Sequence, residues 1–106
     1  MNSIAQSSFR ALADPTRRDI LIMLSDREMT IGEVSAQFDM TRAAVKKHLN
    51  ILEQGHLIDV QTRGRERINT IRPDGLRPVF DWLGYFDRFW DDRLNALKST
   101  IENKDI

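Results

Sequence analysis

The sequence has no cysteine, so disulfides, thiolate metal sites and cysteine nucleophiles are all excluded. It has only two histidines, His48 and His56, too few for an imidazole cluster. No apolar run approaches the ~20 residues that a membrane helix needs. The opening Met1-Asn2-Ser3-Ile4-Ala5-Gln6 has neither a basic flank nor an apolar core, so no secretory signal is expected. Nor does the chain contain a Gly-rich phosphate loop, a nucleophile motif, an internal repeat or a low-complexity linker. Catalysis needs convergent acids, bases or nucleophiles, and these absences speak against an enzyme. Net charge is also lacking: 16 basic residues balance 16 acidic ones, which argues against indiscriminate polyanion binding. What remains is a 106-residue chain, 41% apolar and 30% charged, expected to form a single cytoplasmic domain over residues 1–106.

The zero sum hides a segregation. Residues 1–40 sum to −2, residues 41–72 to +4 and residues 73–106 to −2. A footprint for phosphate would therefore lie in the middle third.

With five glycines and three prolines, punctuation is sparse and informative. A first helix is expected from Ile4 to Leu12, with Phe9 and Leu12 apolar. Asp14-Pro15 reads as an N-cap followed by proline at the first helical position, opening a helix to about Ser25. Thr30-Ile31-Gly32-Glu33 matches a capping box and opens a short helix carrying Val34 and Phe38 on one face. Thr41 caps the next helix, which stops at Gly55. The period then becomes alternating. Ile58 and Val60 share a face, Arg63-Gly64-Arg65-Glu66 is a turn, and Ile68, Thr70 and Ile71 return. After Pro73 and Pro78 one long helix is expected to about residue 101. The predicted fold is mainly α with a small β-hairpin: four helices, a two-stranded wing and a long C-terminal helix, a winged helix-turn-helix.

At 100° per residue, the helix after Thr41 turns Val45, Leu49 and Leu52 inward, with His48 at the edge. Ala43, Lys47, Asn50 and Gln54 face out, flanked by Arg42, Lys46 and Glu53. Recognition helices read bases from their N-terminal part, which points to Thr41, Arg42, Ala43, Lys46, Lys47 and Asn50 as the DNA-contacting set. Arg63, Arg65 and Arg67 alternate around Gly64 and are expected to project near the wing tip, onto phosphates or the minor groove. An amphipathic surface helix alone would be unremarkable. The capped helix before it and the basic hairpin after it shift the balance to DNA. The competing reading is a protein-interaction module in which the final helix binds a partner and the basic middle is incidental.

Three segments carry a family resemblance: Phe9-Arg10-Ala11-Leu12-Ala13-Asp14-Pro15-Thr16-Arg17-Arg18, Ala44 to Leu52 with Gly55-His56-Leu57-Ile58, and Arg63-Gly64-Arg65. The chain resembles the ArsR/SmtB family of bacterial repressors over nearly its whole length. Its ending, Asp81-Trp82-Leu83 and Phe89-Trp90-Asp91-Asp92-Arg93-Leu94, looks like a metal-independent branch that includes SdpR-type autorepressors. The resemblance implies a homodimer, paired through its first and last helices, that blocks transcription at a partly palindromic operator. It also carries the recognition role onto Thr41 through Asn50. Many relatives have a small hydroxyl residue where this chain has Lys46. Metal-sensing relatives place cysteines on the first helix of the motif, or histidines with acidic residues on the last. This chain has neither, so no metal and no cofactor are expected. His48 reads as a structural edge residue and Asp91-Asp92 as a solvated pair. The stripe Val79, Leu83, Phe86, Trp90, Leu94, Leu97 and Ile101, with Phe9, is the expected dimer interface. Trp82, Tyr85 and Phe89 flank it.

Overall fold

The computed structural model describes the backbone of residues 3–104 and the side chains of residues 6–101. Met1 and Asn2, which open the stretch weighed as a signal, lie outside the described residues. Side-chain caps set the helix boundaries. The Asp14 carboxylate accepts a hydrogen bond from the Arg17 amide at 3.1 Å, and Pro15 takes a first-turn position where no N–H is needed. This junction separates α1 (Ser3–Leu12) from α2 (Pro15–Asp26). Thr30 and Glu33 exchange reciprocal bonds, each of 3.1 Å, and open α3 (Ile31–Ala36). That helix is shorter than expected, and Phe38 lies past its end, half-buried against the core. The Thr41 hydroxyl accepts from the Ala44 amide at 3.1 Å and starts α4 (Arg42–Gln54).

Gly55 ends α4, but with φ −81° rather than in the left-handed region. His56 takes the positive φ instead, at 59°. What requires glycine at 55 is space. A Cβ there would come within 2.9 Å of the Ser7 carbonyl oxygen and 3.0 Å of the Ala11 Cβ. The buried Ser8 hydroxyl donates to the Gly55 carbonyl at 2.9 Å, binding α1 to the end of α4.

The wing is larger than a hairpin. Strands β2 (Ile58–Arg63) and β3 (Glu66–Ile71) pair antiparallel around Gly64-Arg65. Gly64 has φ 62° and Arg65 has no positive φ, as a type II′ turn requires. A two-residue strand, β1 (Met29–Thr30), adds to the far side of β3 and makes a three-stranded sheet in the order β1-β3-β2. Central β3 is therefore paired along both edges, and the consecutive residues Ile68 and Asn69 are both buried. This is why its alternation is imperfect. Asn69 Nδ2 donates to the Met29 carbonyl at 3.1 Å, so the buried amide is satisfied.

The single long final helix is also corrected. A 3-10 turn (Pro73–Leu76) leads into α5 (Arg77–Gly84), and α6 (Asp87–Lys104) follows after a break. At the break the Tyr85 and Phe86 amides bond three residues back, to Trp82 and Leu83, next to Gly84. Glycine's low helix propensity and the tighter bonding mark the joint. The core gathers Ile20, Leu21 and Leu24 of α2, Val34 of α3, Val45, Leu49 and Leu52 of α4, and Leu57 and Ile58. Each such burial is worth roughly 1.5–3 kcal/mol.

Every described side chain of α6 is exposed. The radius of gyration is 18.4 Å, against about 13 Å for a compact chain of this length. The excess comes from α6, an arm that leaves the body.

Candidate nucleic-acid interface

Helix α4 has one buried face and one open face. Val45, Leu49 and Leu52 are buried, while Arg42, Ala43, Lys46, Lys47 and Asn50 are exposed. Among the described residues, none of the four long polar side chains in that set has a hydrogen-bond or ion-pair partner. Thr41 is exposed, and its hydroxyl oxygen accepts the cap bond from the Ala44 amide. His48 is half-buried, with Nδ1 3.4 Å from Arg17 Nη1 and 4.0 Å from Asp14 Oδ2.

Arg17 is a residue that the sequence reading passed over. Its Nε donates to the Ala11 carbonyl at 2.8 Å and its Nη2 to the Arg10 carbonyl at 3.0 Å. Arg18 Nη1 donates to the Leu12 carbonyl at 2.7 Å. Two guanidinium groups thus satisfy the last carbonyls of α1, and Arg17 also touches α4. The available signal was the rule that a helix leaves its final carbonyls unpaired. The Arg17 amide, chiefly, holds the Asp14 carboxyl below the ordinary carboxylate range, against an opposing desolvation. The Thr30 amide does the same for Glu33.

The wing arginines divide. Register places Arg67 opposite Thr62, on the face shared with Val60 and Asn69 that packs toward the helices. Arg65, Arg67 and the acidic Glu66 join Arg42, Thr30, Ile31 and Gly32 around an open groove of about 310 Å³. An added Cβ at Gly32 would stand 2.8 Å from Arg42 Nη2, so the missing side chain lets the Arg42 guanidinium lie close to the α3 backbone. Arg63 pairs across the ladder with Glu66, on the opposite face of the sheet. Its guanidinium binds both carboxylate oxygens of Glu28, at 2.5 and 3.1 Å, and this bond raises its already high pKa. Sequence gave no sign of a partner 35 residues away.

The proposed dimer residues lie on two surfaces. Phe9 is half-buried and meets Trp82 edge-on, with centroids 5.7 Å apart. Trp82 in turn meets Phe86 at 5.1 Å. Val79 is half-buried. Trp90, Leu94, Leu97 and Ile101 are each more than half exposed, Leu83 is 48% exposed and Phe86 38%. Of the flanking aromatics, only Trp82 packs toward the body, through Phe9, and it stays half exposed. Tyr85 and Phe89 are exposed.

Residues 12–61 match the helix-turn-helix domain family. The transcriptional repressor SdpR of Bacillus subtilis is 31% identical over 86 residues, covering 81% of this chain and 96% of SdpR. The HTH-type transcriptional regulator Rv2034 of Mycobacterium tuberculosis is 31% identical over 97 residues, 92% of this chain and 88% of that protein. The crystal structure of an ArsR-family transcriptional regulator superposes with a TM-score of 0.74 at 34% identity, covering 83% of this chain and 91% of the other. The chain belongs to the ArsR family of winged helix-turn-helix transcriptional regulators. Within this ArsR-family regulator, the match to SdpR agrees with the branch expected from the Trp-rich ending. Among the described residues, no helix is long and apolar enough to cross a membrane, and no three histidine, aspartate or glutamate residues come together as a metal site.

Proposed function

We propose that this regulator is a cytoplasmic repressor, not an enzyme, that occupies a partly palindromic operator in its own operon as a homodimer. One observation carries the DNA interface. The exposed face of α4 sets Arg42, Lys46, Lys47 and Asn50 outward with no partner among the described residues, and the groove at its start continues this face to Arg65 and Arg67. Cations left unpaired on one contiguous surface suit a polyanion with regular charge spacing. Thr41, Arg42, Ala43, Lys46, Lys47 and Asn50 enter the major groove, where arginine, lysine and asparagine have the donors for guanine and adenine edges. Arg65 and Arg67 take the backbone or the minor groove beside it.

Dimerisation follows from α6. An 18-residue helix about 27 Å long is marginal in water without tertiary contacts, and its apolar stripe is open. Pairing of α5 and α6 with a second copy, next to α1 and Phe9, covers the stripe and sets two α4 helices about one DNA turn apart. The SdpR match supports repression. No metal or cofactor takes part. The decisive experiment is a gel shift on the chain's own upstream region across a salt series, beside a reporter fused to that promoter. A steep log–log loss of affinity with salt and a silenced reporter are expected. Salt-independent or absent binding would favour a protein-interaction module instead.

A further inference from the structure

The wing carries three arginines, and the geometry assigns one of them a different task. We infer that Arg63 is a strut, locked to Glu28, that positions the wing for Arg65 and Arg67 and does not itself contact DNA. This rests on the DNA interface proposed above.

The hairpin's register makes the separation. A two-residue turn places Arg63 opposite Glu66 and Arg67 opposite Thr62, so residues 63 and 67 lie on opposite faces. Arg67, from one face, and Arg65 line the groove beside Arg42 at the start of α4, with Thr30 and Glu66 from the other face, and Arg63 is not among the residues that line it. The face of Arg63 is the other one. By register that outer face also carries Gln61, Ile68 and Thr30, and Glu28 precedes Thr30 by two residues. Arg63 belongs to β2 and Glu28 flanks β1, and these two strands share no hydrogen bond because β3 lies between them. The ion pair therefore spans the central strand and ties the outer edge of the wing to the loop after α2. It uses two Nη atoms on two oxygens, the bidentate geometry that fixes orientation as well as distance. Arg65 and Arg67 have no such partner among the described residues. A hairpin projecting into solvent is weakly held by itself, and a brace at the end of β2 restricts its swing.

The test uses the full chain with two duplexes, its own upstream region and a random sequence. Arg63→Gln and Glu28→Gln should each weaken binding to both by about two- to fivefold per wing, the range of an exposed pair. The salt slope should stay unchanged, because no phosphate contact is lost. The double variant should be no worse than either single one, and the exchange Glu28→Arg with Arg63→Glu should recover affinity. Arg65→Gln, in contrast, should make the slope shallower by about 1. If Arg63→Gln makes it shallower by as much, or if Glu28→Gln tightens binding, Arg63 is a phosphate ligand and the strut is refuted. If Lys47→Ala, Arg65→Gln and Arg67→Gln all leave binding untouched, the DNA interface itself is wrong. Hydrogen exchange of the wing amides in DNA-free protein decides the strut even then. Exchange should quicken in both single variants and slow again in the exchanged pair, and unaltered exchange would overturn the proposal.

Discussion

Lys47 and Asp14 show how differently two charged residues act in this chain. Lys47 is exposed on α4 and has no partner among the described residues, so its removal leaves none of them unsatisfied in the free protein. Lys47→Ala should fold normally and lose about 1–3 kcal/mol of operator affinity, with base preference relaxed. Competition gel shifts against substituted operators measure both effects, and unchanged affinity for every DNA would remove Lys47 from the interface. Asp14 instead acts within the fold. Its carboxyl is held below the ordinary range, first by the Arg17 amide, with the Arg17 guanidinium and His48 adding to it. A depressed carboxyl contributes stability above its unfolded pKa and loses that contribution as pH falls through the folded value. Asp14→Asn keeps a good cap but no charge. Urea unfolding should therefore show little change near neutrality and a shallower loss of stability in acid. An identical acid slope would show that Asp14 does not contribute.

Elements in this fold are joined at points where no side chain fits. Gly75, in the 3-10 turn, is buried so close to the end of α4 that an added Cβ would lie 1.8 Å from the His56 carbonyl oxygen. That obstacle is backbone and cannot rotate away. Gly75→Ala should cost at least the ~1–3 kcal/mol of an overpacked core, seen as a fall in Tm, and unchanged stability would mean the joint opens freely. The helix caps at Asp14, Thr30 and Thr41 were legible in sequence because their chemistry is local. The break after Gly84 was not, because spacings of three and four pass through a tightened turn without disturbance. β1 was invisible because two residues cannot show alternation. Arg63, Arg65 and Arg67 looked equivalent because they alternate in sequence. Only the two-residue turn at Gly64-Arg65 fixes the register that sends Arg63 to the other face. The open face of α4 needed nothing beyond helical geometry, and its exposed residues are those expected.

At the scale of the whole molecule, the arm governs behaviour. Trp90 and Leu94 lie on the open stripe of α6 and support nothing in the monomer's core. Trp90→Ala should leave the body folded and cost ~2 kcal/mol or more of association energy. Sedimentation equilibrium should give twice the 12.3 kDa chain mass for the parent protein and a shift toward monomer for the variant. A monomeric parent that still binds a full palindrome tightly would contradict the dimer. Thiolate and imidazole clusters are absent from the sequence, so stoichiometric zinc, cadmium or arsenite should not release DNA. Reversible release at a defined stoichiometry would show otherwise. The placement of the aromatic rings has an optical consequence. Both tryptophans of the chain, Trp82 and Trp90, sit on α5 and α6, and none lies in the helix-turn-helix or the wing. Trp90 emits from a largely open position, so burial in a paired arm should shift its emission to the blue as the protein is concentrated. The DNA-reading half is dark at that wavelength. Intrinsic fluorescence is thus a label-free gauge of assembly that operator DNA alters only by changing the assembly itself.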